Sequence, residues 1–305
     1  MNVNDEPRAT QRAADTGPAE EGVRPALRAP VAASYQWCER VARTQAKNFY
    51  YSFLLLSRPQ RQAMCAIYAF MRYCDDLSDD EGIPDRAAEI ARWRGDLEAA
   101  LQGSAGEHQL WPAFIDAVAR YRIPHQYFFD MIEGVASDLE PRRIATFEEL
   151  YGYCYHVASV VGLTIIHIFG FESPQALDLA EKCGIAFQLT NILRDVREDA
   201  GKNRVYLPAE DFEHFGVSAE TLEPRDRFLK LMEFEANRAR EYYQQSAPLI
   251  DLVDAGSRSS LRALIGIYRR LLDRIVTSNY DVLERRIRVP TWEKLWVLAR
   301  SSVGA

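Results

Sequence analysis

Residues 68–80, YAFMRYCDDLSDD, place four aspartates within six positions, directly after an apolar run at helical spacing. Residues four apart share a face of a helix, about 6 Å apart along its axis. Asp75 therefore pairs with Asp79, and Asp76 with Asp80. Like charges at this spacing destabilise a helix, so water, basic side chains or divalent cations must relieve the repulsion.

An acidic run is most often a solvated helix end, and this interpretation stays open for the first cluster alone. A second stretch, residues 188–208, changes the balance. It places Asn191, Asp195 and Asp199 at i, i+4 and i+8 on one helical stripe, and Gln188 extends that face. Two such stripes facing each other across a cavity would form an oxygen-lined site suited to hard cations.

The chemistry expected at such a site is the binding of a diphosphate through metal ions. Mg²⁺ usually keeps several waters and bridges protein carboxylates to phosphate oxygens. Four basic residues lie close to the stripes in the sequence: Arg72, Arg194, Lys202 and Arg204. Each of them either contacts diphosphate oxygens or balances the charge of the aspartates.

The rest of the chain predicts an all-α fold. From residue 34 onward apolar residues recur at helical spacing without the alternation of a strand, whereas residues 1–33 are rich in Ala, Pro, Arg and Glu and predict a disordered tail. Residues 34–305 are therefore expected to form one domain of long packed helices. The predicted helices run from Pro59 through the aspartates, and over 147–169 (a Thr146/Glu149 capping box, ended by Gly170), 174–200, 225–247, 257–285 and 291–300, with a loop at 201–212.

Composition excludes several classes of function. The net charge of −7 argues against nucleic acid as a partner. The five cysteines form no CxxC pair and indicate reduced thiols in a cytoplasmic setting, and the five histidines lack metal-ligand spacing. The apolar stretch at 157–171 is too short to span a bilayer and predicts a core helix, so no transmembrane anchor is expected.

Near the C-terminus, TWEKLWVLAR places Trp292, Leu295 and Trp296 on one helical face. This face either docks on the domain or touches the inner surface of a membrane, where apolar substrates reside.

Four segments carry a resemblance to a known family: KNFYYSFLLL (47–56), AIYAFMRYCDDLSDD (66–80), YCYHVASVVG (153–162) and FQLTNILRDVREDAGKNRVYLP (187–208). In content and order they resemble the squalene and phytoene synthase family of head-to-head prenyltransferases, over residues 35–300. The resemblance implies the class I isoprenoid synthase fold, with helices enclosing a central apolar cavity. It also implies Mg²⁺, with Mn²⁺ as an alternative, and prenyl diphosphates as substrates.

The resemblance also implies roles for individual residues. Asp75 and Asp79 match the first metal-binding pair, with Asp76 beside them, and Asn191, Asp195 and Asp199 match the second set. Tyr153 matches a tyrosine near the reacting carbons, and with Arg72, Asp75 and Asp79 it makes up the catalytic candidates. The substrate-binding candidates are Phe49, Tyr50, Tyr68, Arg72, Val157, Val161, Gln188, Arg194, Lys202 and Arg204. Tyr268 and the Arg285–Arg286 pair stay open.

The product expected from the resemblance is presqualene diphosphate, formed from two farnesyl diphosphates, with NADPH needed only if the reaction proceeds to squalene. This choice depends on Ser159, which stands where many family members have glycine. The alternative is a phytoene synthase acting on geranylgeranyl diphosphate. A class I terpene cyclase normally has Ser or Thr and Glu in its second motif, and a non-catalytic helical scaffold would scatter its aspartates. Downstream isoprenoid enzymes are expected as further partners.

Overall fold

The computed structural model describes residues 25–46, 49–80, 82–140 and 142–303. In these ranges the regular secondary structure is helical. The same ranges contain two isolated β-bridges and no strand. The helices are α1 (Pro25–Gln45), α2 (Phe49–Phe53), α3 (Arg58–Asp79), α4 (Arg86–Leu101), α5 (Trp111–Tyr121), α6 (Gln126–Ala136), α7 (Phe147–Cys154), α8 (Val160–Phe169), α9 (Gln175–Gly201), α10 (Ala209–Phe215), α11 (Arg225–Gln245), α12 (Leu249–Leu252), α13 (Ala255–Thr277) and α14 (Thr291–Val303). The predicted all-α class is confirmed.

The predicted helix boundaries hold with three corrections. The helix predicted over 257–285 ends at Thr277, because Asn279 and Tyr280 both adopt left-handed backbone with φ of 55°. The loop predicted over 201–212 is shorter, because α10 begins at Ala209. Part of the predicted tail is helical, since α1 begins at Pro25.

The first helix explains the correction to the tail. Residues 25–33 continue without a break into the part of α1 that packs against the core, where Tyr35 and Cys38 are buried. The Ser34 hydroxyl donates a hydrogen bond to the Gln109 carbonyl at 2.6 Å and so fixes this part of the helix to the residues before α5. The remainder of the predicted tail, residues 1–24, lies outside the described residues.

The orientation of α3 is set by an aromatic cluster on its buried face. Phe70 contacts Trp93 of α4, Trp111 and Phe114 of α5, and Phe128 of α6, with ring centroids 4.7 to 6.4 Å apart. Aromatic rings at these separations pack favourably. The opposite face of α3, which carries the aspartates, is thereby turned toward the interior of the helical bundle.

A π-helical turn, Tyr155–Ser159, separates α7 from α8 within what the sequence predicts as one helix. The predicted cap is present: the Thr146 hydroxyl accepts a hydrogen bond from the Glu149 amide at 3.2 Å, while the Glu149 carboxylate accepts one from the Ala145 amide. The stretch Phe147–Phe169 is long and apolar enough to cross a membrane, but 61% of its apolar 18-residue window is buried inside the structure. It is a core helix.

A buried charged cluster joins α10 to α11. The Arg238 guanidinium donates hydrogen bonds to Asp211 at 2.8 Å and to Glu235 at 2.7 Å, and it lies over the Phe147 ring at 4.1 Å. One guanidinium thus faces two carboxylates, and burial raises the pKa of Glu235 to about 8.

The raised pKa predicts a loss of stability at alkaline pH. A carboxyl group whose pKa is higher in the folded than in the unfolded protein stabilises the fold at low pH, and this contribution is lost as pH rises through the folded-state pKa. When the pH is raised from 5 to 9, we expect the wild type to lose stability relative to Glu235→Gln. The difference between their free energies of unfolding should change by on the order of 3 kcal/mol in favour of the variant. Glu241→Gln, at an exposed position on the same helix, should keep a constant difference. Parallel melting curves for wild type and Glu235→Gln across this range would contradict the assignment.

Candidate active site

A cavity of about 490 Å³ lies between α3, α6, α8, α9 and α13. Its inner part is apolar, with lining residues that include Val135, Val157, Val161, Ile165, Leu261 and Leu264. Ala158, Gly162, Ala180 and Gly184 also line it, and these small side chains leave room along its length. The volume is typical of a site for a small organic molecule.

The first acidic rim is one stripe of α3. Tyr68, Arg72, Asp75 and Asp79 all line the cavity, at the i, i+4, i+7 and i+11 positions of the helix. Asp76 lies about 100° further round and forms an ion pair with Arg72. Asp80 is the C-cap residue of α3, and its backbone amide donates a hydrogen bond to the Asp76 carbonyl. The Asp80 side chain therefore does not extend the stripe.

The Asp75 carboxyl group is open to the cavity yet surrounded by protein. The resulting loss of bulk water raises its pKa to about 7; Arg72 lowers the value, and Asp79 raises it again. A cation close to Asp75 and Asp79 would relieve this repulsion. The first rim therefore has the electrostatics of a cation site.

The second rim is carried by α9, where Gln188, Asn191 and Arg194 line the cavity. Asn191 Oδ1 is buried and has no hydrogen-bond partner, although the amide nitrogen lies 3.4 Å from Gln188 Oε1. A buried acceptor without a donor is costly.

Asp195 and Asp199 do not line the cavity, although the sequence predicts them on the same cavity-facing stripe as Asn191. Arg194 binds both oxygens of Asp195, one at 2.8 Å, and Arg286 lies 3.2 Å from it. Asp199 lies beside Arg204 in a small adjoining hollow, and burial together with the charge of Asp195 raises its pKa to about 7. Guanidinium groups therefore hold the outer half of the second stripe in this structure.

Two basic side chains that follow α9 connect the rims. Lys202 Nζ lies 3.3 Å from Asp79 Oδ1, and Arg204 Nη1 lies 3.7 Å from the same oxygen. Arg204 also donates a hydrogen bond to the Asp138 carbonyl at 2.6 Å. The basic side chains that follow α9 thus contact the acidic stripe of α3, so the two motifs meet at one cavity.

Tyr153 lines the cavity within a network that the sequence does not reveal. Its hydroxyl donates a hydrogen bond to Asp138 Oδ2 at 3.0 Å, and the Tyr206 hydroxyl donates to Oδ1 of the same carboxylate at 2.9 Å. The two tyrosine rings stack with centroids 4.8 Å apart. Burial, followed by the nearby Asp138, holds the pKa of Tyr153 well above its ordinary value. Tyr153 is therefore a protonated hydrogen-bond donor.

The structure separates the other predicted site residues into two groups. Phe49, Tyr68, Val157 and Val161 line the cavity with the rim residues. The predicted residues absent from the lining, among those described, are Tyr50, Asp76, Asp195, Asp199 and Lys202. For Tyr50 the reason is helical geometry: it lies about 100° from Phe49 on α2 and packs edge-on against Phe53.

Asp138 and Phe187 are among the lining residues that the sequence did not offer as candidates, and Tyr268, which the sequence left open, lines the cavity as well. Tyr268 of α13 stacks on Phe187 of α9 with centroids 4.2 Å apart and contacts Phe49 edge-on at 5.6 Å. Together these rings form one aromatic wall of the cavity. Phe187 adjoins Gln188 in the second motif, but no spacing rule distinguishes a lining aromatic residue from a packed one.

The donor set fits Mg²⁺ held jointly with a ligand. Within the described ranges no group of three or more His, Cys, Asp or Glu side chains is arranged to hold a metal ion by itself. In the two motifs, the side chains with oxygen donors that line the cavity are Asp75, Asp79, Gln188 and Asn191. Such donors suit a hard cation that completes its coordination with water and phosphate.

Comparison with known proteins places these features in context. The family model described as squalene/phytoene synthase matches residues 42–293. A 15-cis-phytoene synthase from Synechococcus elongatus is 38% identical over 283 residues, which are 88% of this chain and 92% of the relative. A phytoene synthase from Arthrospira platensis is 35% identical over 303 residues, covering 92% and 97% of the two chains.

Solved structures agree with the fold. A dehydrosqualene synthase superposes with a TM-score of 0.84 at 28% identity and covers 91% of this chain and 98% of its own. Squalene synthase HpnC from Alicyclobacillus acidocaldarius superposes with a TM-score of 0.77 at 27% identity, covering 85% and 97%.

Proposed function

Because the chain belongs to the squalene/phytoene synthase family, whose reaction is head-to-head prenyl condensation, we propose that it joins two geranylgeranyl diphosphates to give phytoene. The observation that carries the proposal is one cavity whose lining combines apolar and aromatic side chains with Asp75, Asp79 and the guanidinium groups of three arginines. The choice of the longer substrate draws support from relatives named phytoene synthases at 38% and 35% identity.

The expectation of farnesyl substrates depended on Ser159, which lies outside the cavity lining among the described residues. The Ser159 side chain is fully buried and donates a hydrogen bond to the Glu181 carbonyl at 2.8 Å. It is not among the residues that line the cavity in the described chain. Serine at this position therefore does not contact the cavity directly.

In the proposed reaction, the rims and the basic side chains bind the diphosphate of one substrate. Mg²⁺, when bound by Asp75, Asp79 and Asn191, would neutralise the negative charge that develops on the departing diphosphate. Arg72, Arg194 and Arg204 line the cavity and are proposed to contact phosphate oxygens.

Departure of diphosphate from a prenyl substrate would leave an allylic cation. The cavity walls have the properties that such a cation requires. The apolar lining excludes water, which would otherwise trap the cation. The rings of Phe49, Phe187 and Tyr268 offer π faces that stabilise positive charge without reacting with it. Tyr153, hydrogen-bonded to Asp138, is proposed to supply the hydroxyl that orients or moves a proton in the cavity.

The product assay tests the function directly. The protein is incubated with Mg²⁺ and either geranylgeranyl or farnesyl diphosphate, with and without NADPH, and the lipids are identified by mass spectrometry. We expect phytoene from geranylgeranyl diphosphate without NADPH. Presqualene diphosphate or squalene from farnesyl diphosphate alone would instead establish the second candidate, which the structures named dehydrosqualene and squalene synthase favour. Release of diphosphate from neither substrate would overturn both.

Cytoplasmic location and contact with downstream isoprenoid enzymes stay predictions from the sequence.

A further inference from the structure

The C-terminal helix α14 has one docked face and one exposed apolar face. Val297 and Leu298 pack with Ala263 and Ile267 of α13, so the helix is fixed to the domain. On the other side Trp292 is 67% exposed, Leu295 52% and Trp296 46%. The sequence offered two alternatives for this helix, docking on the domain or contact with a membrane. They are compatible, because different residues are docked and exposed.

The turn after α2 extends the same patch. Leu54 is 43% exposed, and its neighbour Leu55 packs against the Ala263 cluster beneath α14. Tyr51 of α2 lies under the Lys294 ammonium group at 5.5 Å. We call Leu54, Trp292, Leu295 and Trp296 the tryptophan patch.

The charges around the tryptophan patch are positive. Arg300 and Arg270 lie over the Trp296 ring at 4.8 and 5.4 Å. Within Thr291–Val303 the one acidic residue, Glu293, is buried and bound to Arg270 and Arg274, so none of the exposed positions of α14 carries a negative charge. Residues 255–303 hold ten basic and four acidic residues, although the whole chain has a net charge of −7.

We propose that the tryptophan patch binds the surface of an anionic lipid bilayer. Indole rings favour the boundary between headgroups and acyl chains, because each has an apolar body and a polar N–H group. Arginines beside them would contact lipid phosphates, and a local excess of positive charge attracts anionic lipids. An acidic protein gains no such attraction from its surface as a whole, so attraction to anionic lipids requires a local basic surface such as the one beside this patch.

The tryptophan patch lies close to the cavity, so a lipid contact there would bring the cavity near the bilayer. Helix α2 packs against both α13 and α14, while Phe49 on its inner side lines the cavity. One short helix therefore separates the proposed lipid contact from the proposed substrate chamber. This consequence depends on the proposed function, because it concerns a hydrocarbon substrate and product; the lipid contact itself does not.

Vesicle sedimentation tests the proposal. The full chain is mixed with phosphatidylcholine vesicles, with or without phosphatidylglycerol, and the bound fraction is measured. We expect at least tenfold tighter binding to the anionic vesicles, with quenching of tryptophan fluorescence by brominated lipids. The triple variant Trp292→Ser, Leu295→Ser, Trp296→Ser should lose binding at least tenfold, whereas Phe234→Ser, at a 39% exposed residue outside the patch, should bind as the wild type does. Arg300→Glu should weaken binding to anionic vesicles selectively.

The outcomes separate this proposal from its rivals. Circular dichroism, and diphosphate release in detergent, should be unchanged in the triple variant, so a folding defect or failure of the proposed function is detected independently. Equal vesicle binding by wild type and triple variant, or no binding by the wild type, overturns the proposal. A dimer in light scattering that the triple variant converts to a monomer, without vesicle binding, would assign the patch to a second copy of the chain.

Discussion

Asp75→Asn is expected to lower kcat/KM for diphosphate release about 10²- to 10³-fold with little change in the melting temperature. Asp75 lines the cavity and lies one helical turn from Asp79 on the first rim. Asparagine keeps the shape of the side chain but removes the negative charge that the proposed cation would neutralise. Loss of one preorganised electrostatic group that faces a developing charge costs about this much in rate. The measurement is release of diphosphate from the accepted prenyl substrate in the presence of Mg²⁺.

Asp80→Asn is the matched control. Asp80 is an exposed aspartate of the same run, and its carboxylate accepts a hydrogen bond from the Gly82 amide at 2.8 Å, outside the cavity. Its substitution should leave kcat/KM within about twofold of the wild type. Titration of Mg²⁺ in the presence of inorganic diphosphate gives a second readout, in which Asp75→Asn alone should weaken binding. Equal rates for Asp75→Asn and the wild type would refute the role of the first rim.

Gly184→Ala is expected to destabilise the protein by about 1–3 kcal/mol or more. A β-carbon at this position would lie 2.5 Å from Ser159 Cα and 2.8 Å from the Ala158 carbonyl oxygen. Both are backbone atoms of the π turn, so no side-chain rotation relieves the clash and α9 must move away. Because Gly184 and Ala158 both line the cavity, the same shift would alter its shape. Thermal unfolding followed by circular dichroism measures the loss.

Gly152→Ala provides the comparison for this effect. Gly152 lies within α7, and a β-carbon there would meet no atom within 4 Å. Alanine is favoured over glycine in a helix by roughly 0.5–1 kcal/mol, so this variant should be as stable as the wild type or more stable. Similar melting temperatures for the two alanine variants would show that α9 and the π turn are not in close contact.

The sequence predicts the two rims because both depend on local helical geometry. Asp75 and Asp79 are one turn apart on α3, and the same rule brings Gln188 and Asn191 onto the cavity side of α9. The aromatic cluster around Phe70 then turns α3 inward, a step that apolar spacing anticipates only as burial. Periodicity is therefore enough to predict the helical fold class and the stripe of α3 that lines the cavity, but it places Asp195 and Asp199 on a lining that they do not reach.

Contacts between distant segments lie beyond such rules. Spacing cannot show that Arg286, 91 positions after Asp195, closes the outer half of the second stripe. Nor does it reveal Asp138, which follows α6 in the sequence and accepts hydrogen bonds from Tyr153 and Tyr206. In each interaction one partner, Arg286 or Asp138, lies outside the quoted motifs, and packing alone brings it to the other side chain.

The π turn at Tyr155–Ser159 has an evolutionary consequence. It amounts to one residue inserted into a helix, and each residue of an α-helix rotates the chain by about 100°. Deletion of that residue would swing Tyr153 away from Asp138 while leaving Val161 in place. In a homologue that lacks this residue, the tyrosine would need a different hydrogen-bond acceptor. We therefore expect the length of this segment to be strictly conserved in alignments even where its residues differ.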